Sequence, residues 1–306
     1  MKLHQLRVLQ PLANSFRLNV SGSKDGKPDW IEEIAEPGGK GLYGPESQVW
    51  RVHGSLSTLV GGVRALLLQA AHPAPLQGVA EHSRYQEDPI GRLIGTTRWL
   101  TITSFAAEPA IRREAKRVNG MHQRVEGEFI SKDGALHKYS AKQERHLLWV
   151  HCAFTDSFLK SYCAMHKVKP YVLDTYVEEW AKSATFLGLQ TAPKSFEELE
   201  NTIDDFRQRD LVAHERTKEV IRFILNPPFG VLGKAFYKII SRAAIATLDP
   251  RDRELLGLKK KSTKWISLAS FFLRIFHQIL GPEPPSMQVA RERIRRDTIA
   301  QQASGT

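Results

Sequence analysis

His122 is the first residue in this chain whose position could do chemistry. In the run Ile111 to Val125, IRREAKRVNGMHQRV, the apolar residues Ile111, Ala115, Val118 and Val125 follow the i, i+4, i+7, i+14 rhythm of a helix, and His122 takes the missing i+11 place. An imidazole on a buried stripe needs a hydrogen-bond partner or a metal, because an unpaired buried polar group costs roughly 1–3 kcal/mol. Periodicity leaves both readings open, a satisfied structural histidine or a ligand. His151 repeats the pattern in the stripe Leu147, His151, Phe154, Phe158, Tyr162 and Met165. A single axial imidazole beside a large apolar pocket is what haem requires, and both histidines meet that requirement. Arg92 and Thr96, spaced i, i+4, share a helix face in an apolar segment. There a planar guanidinium and a hydroxyl make an anion or oxygen site, unless Arg92 pairs with Glu87 or Asp88 and Thr96 bonds a backbone carbonyl.

Other chemistries lack their signatures. No H-E-x-x-H and no pair of E-x-x-H motifs occurs, which argues against zincin and di-iron sites. There is no G-x-S-x-G elbow and no glycine-rich phosphate loop. Gly61-Gly62 lies inside a helical pattern, where it allows close packing or leaves room for a ligand. His72, in AAHPAP, is expected to fix a helix end by hydrogen bonding. Cys152 follows His151 directly, so the two point to different sides of a helix and form no dyad. Without C-x-x-C-H, covalent haem attachment is excluded and a haem would be of the b type.

The elements that must position these residues are helical. Residues 1–40 read as a flexible basic leader, with SGSKDGKPD and EPGGKG, and residues 282–306 as a polar, frayed tail. Between them, 41–281 carry one helical domain. A long helix runs from after GPES to His72-Pro73, a second spans the Arg92 segment, and a third carries His122. Further helices are expected over Lys142–Met165, Tyr171–Leu187, Phe196–Leu225 and Val231–Leu248, with a capping box from Ser195 and Glu198. No alternating strand pattern of useful length occurs. Trp265–Leu280, preceded by LKKKSTK, reads as an amphipathic helix docked on the core, or alternatively as a basic membrane-surface helix. The fold class is all-α.

With 306 residues, 42% hydrophobic and 25% charged, the chain has the composition of an ordinary globular protein. Two cysteines eleven apart on one helix lie about 16 Å from each other and do not pair. That usage, no secretory segment near Met1 and no apolar bilayer-length run give a cytoplasmic expectation, with peripheral membrane contact through 262–281 as its variant. The net charge of +11 suits an acidic partner. Nucleic acid is not expected, because no interleaved aromatics, zinc-ligand spacing or helix-turn-helix signature accompanies the charge.

The run GPESQVWRVHGSLSTLVGGVRALLLQAAHPAPLQGVAEHSRYQEDPIGRLIGTT, then HQRVEG, Tyr139-Ser-Ala and LLWVHCAF, resembles the MpaB-type oxygenases related to bacterial latex-clearing rubber oxygenases. The resemblance covers roughly Gly44 to Tyr162. It implies an all-α, single-domain bundle with a globin-like core holding haem b, its axial ligand the histidine of H-x-x-V-x-G, here His122. It further implies Arg92 and Thr96 on the distal side, dioxygen as co-substrate and an apolar, unsaturated or isoprenoid substrate. Two positions depart from the pattern: Glu126 stands where many relatives have arginine, and Gly95 where the rubber oxygenases carry a lysine that can cap the iron. The N-terminus also lacks a twin-arginine export signal. The rival expectations are a haem carrier or sensor without turnover and a membrane-surface helical scaffold.

Overall fold

The computed structural model describes residues 10–83 and 87–304. Its described residues form fifteen helices and one hairpin. In chain order these are α1 (Gln10–Ser21), α2 (Ile31–Ala35), α3 (Gln48–His53), α4 (Thr58–Gln69), α5 (Pro73–His82), α6 (Pro89–Phe105) and α7 (Glu108–His122), followed by the strands β1 (Glu126–Ile130) and β2 (Leu136–Ser140). Then come α8 (Glu144–Met165), α9 (Tyr171–Thr185), α10 (Phe196–Arg209), α11 (Glu215–Leu225), α12 (Val231–Thr247), α13 (Pro250–Leu255), α14 (Lys264–Leu280) and α15 (Pro285–Ser304). The protein is a mostly-α single domain, as its helical periodicities require.

The centre is the pair α4 and α8. Val60, Leu67 and Leu68 of α4 and Trp149, Ala153 and Leu159 of α8 are buried in one apolar cluster. Gly61 lets the two backbones meet, since a Cβ there would lie 2.6 Å from the Phe158 ring and 3.1 Å from its Cα. Gly62, by contrast, faces open space. Arg64, fully buried, ties the centre to α12: Nη1 donates to Asp156 and Ser157 on α8, and Nε donates to the Thr247 carbonyl at the end of α12.

Several boundaries differ from the sequence reading, each for a local reason. The expected long helix breaks at residues 54–57 into α3 and α4, because serines there satisfy the backbone instead: Thr58 Oγ1 donates to Ser55 O, and Ser55 Oγ accepts from Ser57 N. Gly54 at the break meets α15, where a Cβ would lie 2.3 Å from Met287 Sδ. The expected 196–225 helix divides at Asp210–His214, where Val212 N donates to Ala71 O. Ser195 caps α10 by accepting from Glu198 N, while the Glu198 carboxylate takes Lys194 N rather than closing the box. A two-stranded antiparallel hairpin pairs Glu126 with Ser140 and Ile130 with Leu136, although neither strand alternates cleanly in polarity.

The flanks are more ordered than their polarity suggested. Within the expected leader, α1 packs Phe16 against Phe276 with ring centres 5.5 Å apart, and Arg17 donates to the Leu280 carbonyl at the end of α14. Ile31 and Ile34 of α2 are core residues. The expected frayed tail is largely α15, which buries Met287, Ala290 and Arg293. Arg293 Nη1 donates to Ile34 O and Phe105 O, stapling the ends of α2 and α6.

Candidate active site

The helix pair α6 and α7 carries Arg92, Thr96 and His122. Asp88 caps α6 by accepting from Gly91 N, with Pro89 at the first helical position. Across the hairpin, Arg98 of α6 bridges Glu33 and the buried Glu114 of α7. Since the chain reverses at Ala106 and Ala107, this pair sets Arg92, near the start of α6, and His122, at the end of α7, toward the same end of the helix pair. A second tie confirms the arrangement. At the end of α5, His82 Nε2 donates to the Glu126 carbonyl just beyond His122, and the adjacent Ser83 Oγ accepts from Arg92 Nη1 at 2.7 Å.

Arg92 is buried enough to lower its guanidinium pKa by desolvation. Among the described residues its guanidinium pairs with neither the Glu87 nor the Asp88 carboxylate and has no other carboxylate partner. The one hydrogen-bond partner of the guanidinium there is Ser83. Thr96 Oγ1 donates to the Arg92 carbonyl at 3.2 Å, leaving its lone pairs for another donor. Between them Gly95 faces open space. A guanidinium in this setting has unspent donors aimed at whatever oxygen or anion shares its surroundings.

His122 ends α7 rather than continuing a helix through Val125, and it is partly rather than fully buried. Its Nδ1 is shielded from solvent and has no hydrogen-bond partner among the described residues. Burial lowers its pKa, favouring the neutral ring that a metal requires. The chain behind it is clamped. Gly78 of α5 lies where a Cβ would come 3.2 Å from both Val125 and Tyr139. At Gly127 a Cβ would lie 2.8 Å from the Tyr139 ring and 2.7 Å from Glu81 Oε2. Tyr139 in turn donates to Glu81 at 2.8 Å. The valine and glycine of H-x-x-V-x-G therefore seat the hairpin on α5 and set the position of the histidine. Glu126 contributes its carbonyl, and its side chain is exposed.

His151 lies elsewhere, stacked on Trp180 of α9 with ring centres 6.4 Å apart and planes 9° from parallel. Its Nε2 also lacks a partner, and burial takes its pKa down to about 4. Trp180 is shared with His53, which the sequence reading passed over although it stands i+4 from the core residue Val49. Ser104 Oγ spends its proton on the Leu100 carbonyl, so it accepts from His53 Nδ1–H, and His53 Nε2 accepts from Tyr176 O–H at 3.0 Å. The ring is thus held neutral, with burial taking its pKa to about 3. His72 does what its motif indicated, its Nδ1 accepting from Ala74 N to cap α5.

Among the described residues no group of three or more His, Cys, Asp or Glu side chains is placed to hold a metal ion. A haem asks for less: one neutral imidazole, a cation for its acidic edge and space. The His122 Nδ1 and the Arg92 guanidinium, with no hydrogen-bond and no carboxylate partner respectively among the described residues, and the open space at Gly95 fit such a group. A family model described as "ER-bound oxygenase mpaB/B'/Rubber oxygenase, catalytic domain" matches residues 50–278, which include all four candidate residues. No curated protein and no solved structure matches the chain.

Proposed function

The chain belongs to the mpaB/rubber oxygenase catalytic-domain family, and from that premise we propose that it is a haem b-dependent oxygenase acting on an apolar, unsaturated or isoprenoid substrate. The observation that carries the reading is His122 at the end of α7 inside the matched domain, its Nδ1 shielded from solvent and without a hydrogen-bond partner among the described residues. His122 would hold the iron. Haem b, when bound, supplies the redox chemistry of dioxygen activation. The protein's own part is positioning and electrostatics. Arg92 offers its free guanidinium hydrogens toward dioxygen or toward an acidic edge of the cofactor, and Thr96 presents a hydroxyl from the same helix face. Ser83 holds the Arg92 side chain, and the His82 bond to Glu126 O holds the His122 turn in step with it. Gly95 brings no side chain between them, so a lysine-capped state is not part of this chain's chemistry. No described helix is long and apolar enough to cross a membrane.

An absorption spectrum of protein made with ample haem tests the reading. A Soret band with extractable haem is expected. His122→Ala should lose the haem, whereas His151→Ala should keep it with at most an altered spectrum, because His151 belongs to the Trp180 cluster. Colourless protein that cannot be reconstituted overturns the proposal, and the opposite result for the two variants moves the ligand to His151. Oxygen-dependent product formation separates an oxygenase from a haem carrier.

A further inference from the structure

The amphipathic helix α14 buries one side against the core and leaves another exposed. Ala269, Leu273 and Ile279 face the core, and Trp265 is covered by Arg242 of α12, whose guanidinium carbon stands 4.3 Å from the indole centre. Its outward stripe runs Lys264, Leu268, Phe271, Arg274, Gln278, all exposed. On this stripe Phe271 is 58% exposed and Leu268 37%, large apolar groups that the fold does not cover. Beside them a groove of about 300 Å³ separates α14 from the end of α8, lined by Met165, Ile266, Phe271 and Arg274 among others.

The charge around this ridge has one sign. From Leu255 to Pro282 there is no Asp or Glu, while Lys259, Lys260, Lys261, Lys264 and Arg274 are present. On the other side of the groove, Ser157 to Leu173 is equally free of carboxylates and supplies the exposed Lys167 and Lys169. Among the described residues none of these seven cations pairs with a carboxylate. Lysine is depleted at protein–protein interfaces. Lysine and arginine flanking exposed phenylalanine and leucine on one helix are what an anionic lipid surface takes, the apolar tips entering the acyl boundary and the cations meeting phosphates.

We infer that the outward ridge of α14, with the 259–261 lysines and the groove against α8, is a docking surface for an anionic phospholipid bilayer. This goes beyond the oxygenase reading and does not depend on it. Its test is co-sedimentation of the full chain with phosphatidylcholine vesicles, with and without phosphatidylserine. Binding to the anionic vesicles only is expected, weakening severalfold as salt rises from about 0.05 to about 0.5 M. Lys259→Gln/Lys260→Gln/Lys261→Gln should weaken it by about 10²-fold. Leu268→Ser/Phe271→Ser should weaken it by at least about tenfold with thermal stability and helix content unchanged, since both side chains already face solvent. No binding to anionic vesicles, or equal binding by both variants, overturns the inference. So does a concentration-dependent dimer that Phe271→Ser dissociates while vesicles remain unbound, which would make the ridge a contact between copies.

Discussion

Arg92 meets a hydroxyl where a buried guanidinium ordinarily meets a carboxylate. If its unspent donors act on dioxygen, Arg92→Ala should keep haem near its normal level and lower oxygen-dependent turnover by about 10²-fold, and Thr96→Ala, whose hydroxyl proton is spent on the Arg92 carbonyl, should keep haem and lower turnover less. The double variant should lose less than the product of the two, because the residues share one helix face. Equal haem loss in the Arg92 variant would show instead that the arginine holds the cofactor's acidic edge. A second expectation concerns protons. His53 and His72 are kept neutral in the fold by burial, each with a pKa of about 3, and in His72 the charges of His146 and Arg145 add to the effect. Both take up protons near pH 6.5 once unfolded, so the unfolded state binds more protons below that pH and stability falls as pH drops. Each ring should remove about 2 kcal/mol between pH 7.5 and 5. Denaturant titrations at the two pH values measure this, and His53→Gln should reduce the difference by about 2 kcal/mol.

At the scale of elements, the hairpin works as a seat for the turn that carries His122. Gly127→Ala would drive a methyl group into the Tyr139 ring and the Glu81 carboxylate, and should cost about 1–3 kcal/mol. Haem retention should fall with it, while Gly134→Ala, at the far end of the hairpin, should strain only its own turn, where φ is +85°. Haem titration of the two variants compares them directly. The staple at the other end is Arg293, wholly buried, joining the carbonyls of Ile34 and Phe105. Arg293→Ala leaves both carbonyls unpaired and should lower unfolding free energy by about 3 kcal/mol. Since Phe105 ends α6, hydrogen exchange in α6 should quicken more than in α10.

Over the whole molecule, α4, α8 and α12 meet at the fully buried Arg64. The pair with Asp156 is fully buried, and Lys160 approaches the same carboxylate at 3.1 Å. The two cations hold the Asp156 carboxyl below its usual range against the desolvation that alone would raise it. Arg64→Ala should be more damaging than any surface ion-pair variant, by about 3–5 kcal/mol, because it strands a buried carboxylate. The candidate residues are held instead by single hydrogen bonds from α5 and by the hairpin.

Much of this protein follows from local pattern. The 3.6-residue apolar rhythm determines the helices and hence the mostly-α class, and His72 before Pro73 determines a cap, since both depend on neighbours in the chain. The residues of H-x-x-V-x-G and the Arg92, Thr96 spacing were legible as motifs. What the rhythm could not reveal depends on partners far along the chain. The hairpin at 126–140 exists because Tyr139 and Val125 have α5 to pack on. The polar 285–304 segment is a helix because Arg293 finds carbonyls more than a hundred residues away. Stripe position left His122 and His151 equivalent. Tertiary structure gave them different neighbours, tying the turn after His122 to the end of α5 through His82 and setting His151 against Trp180, because which element lies opposite a helix face is decided by packing and not by the helix itself.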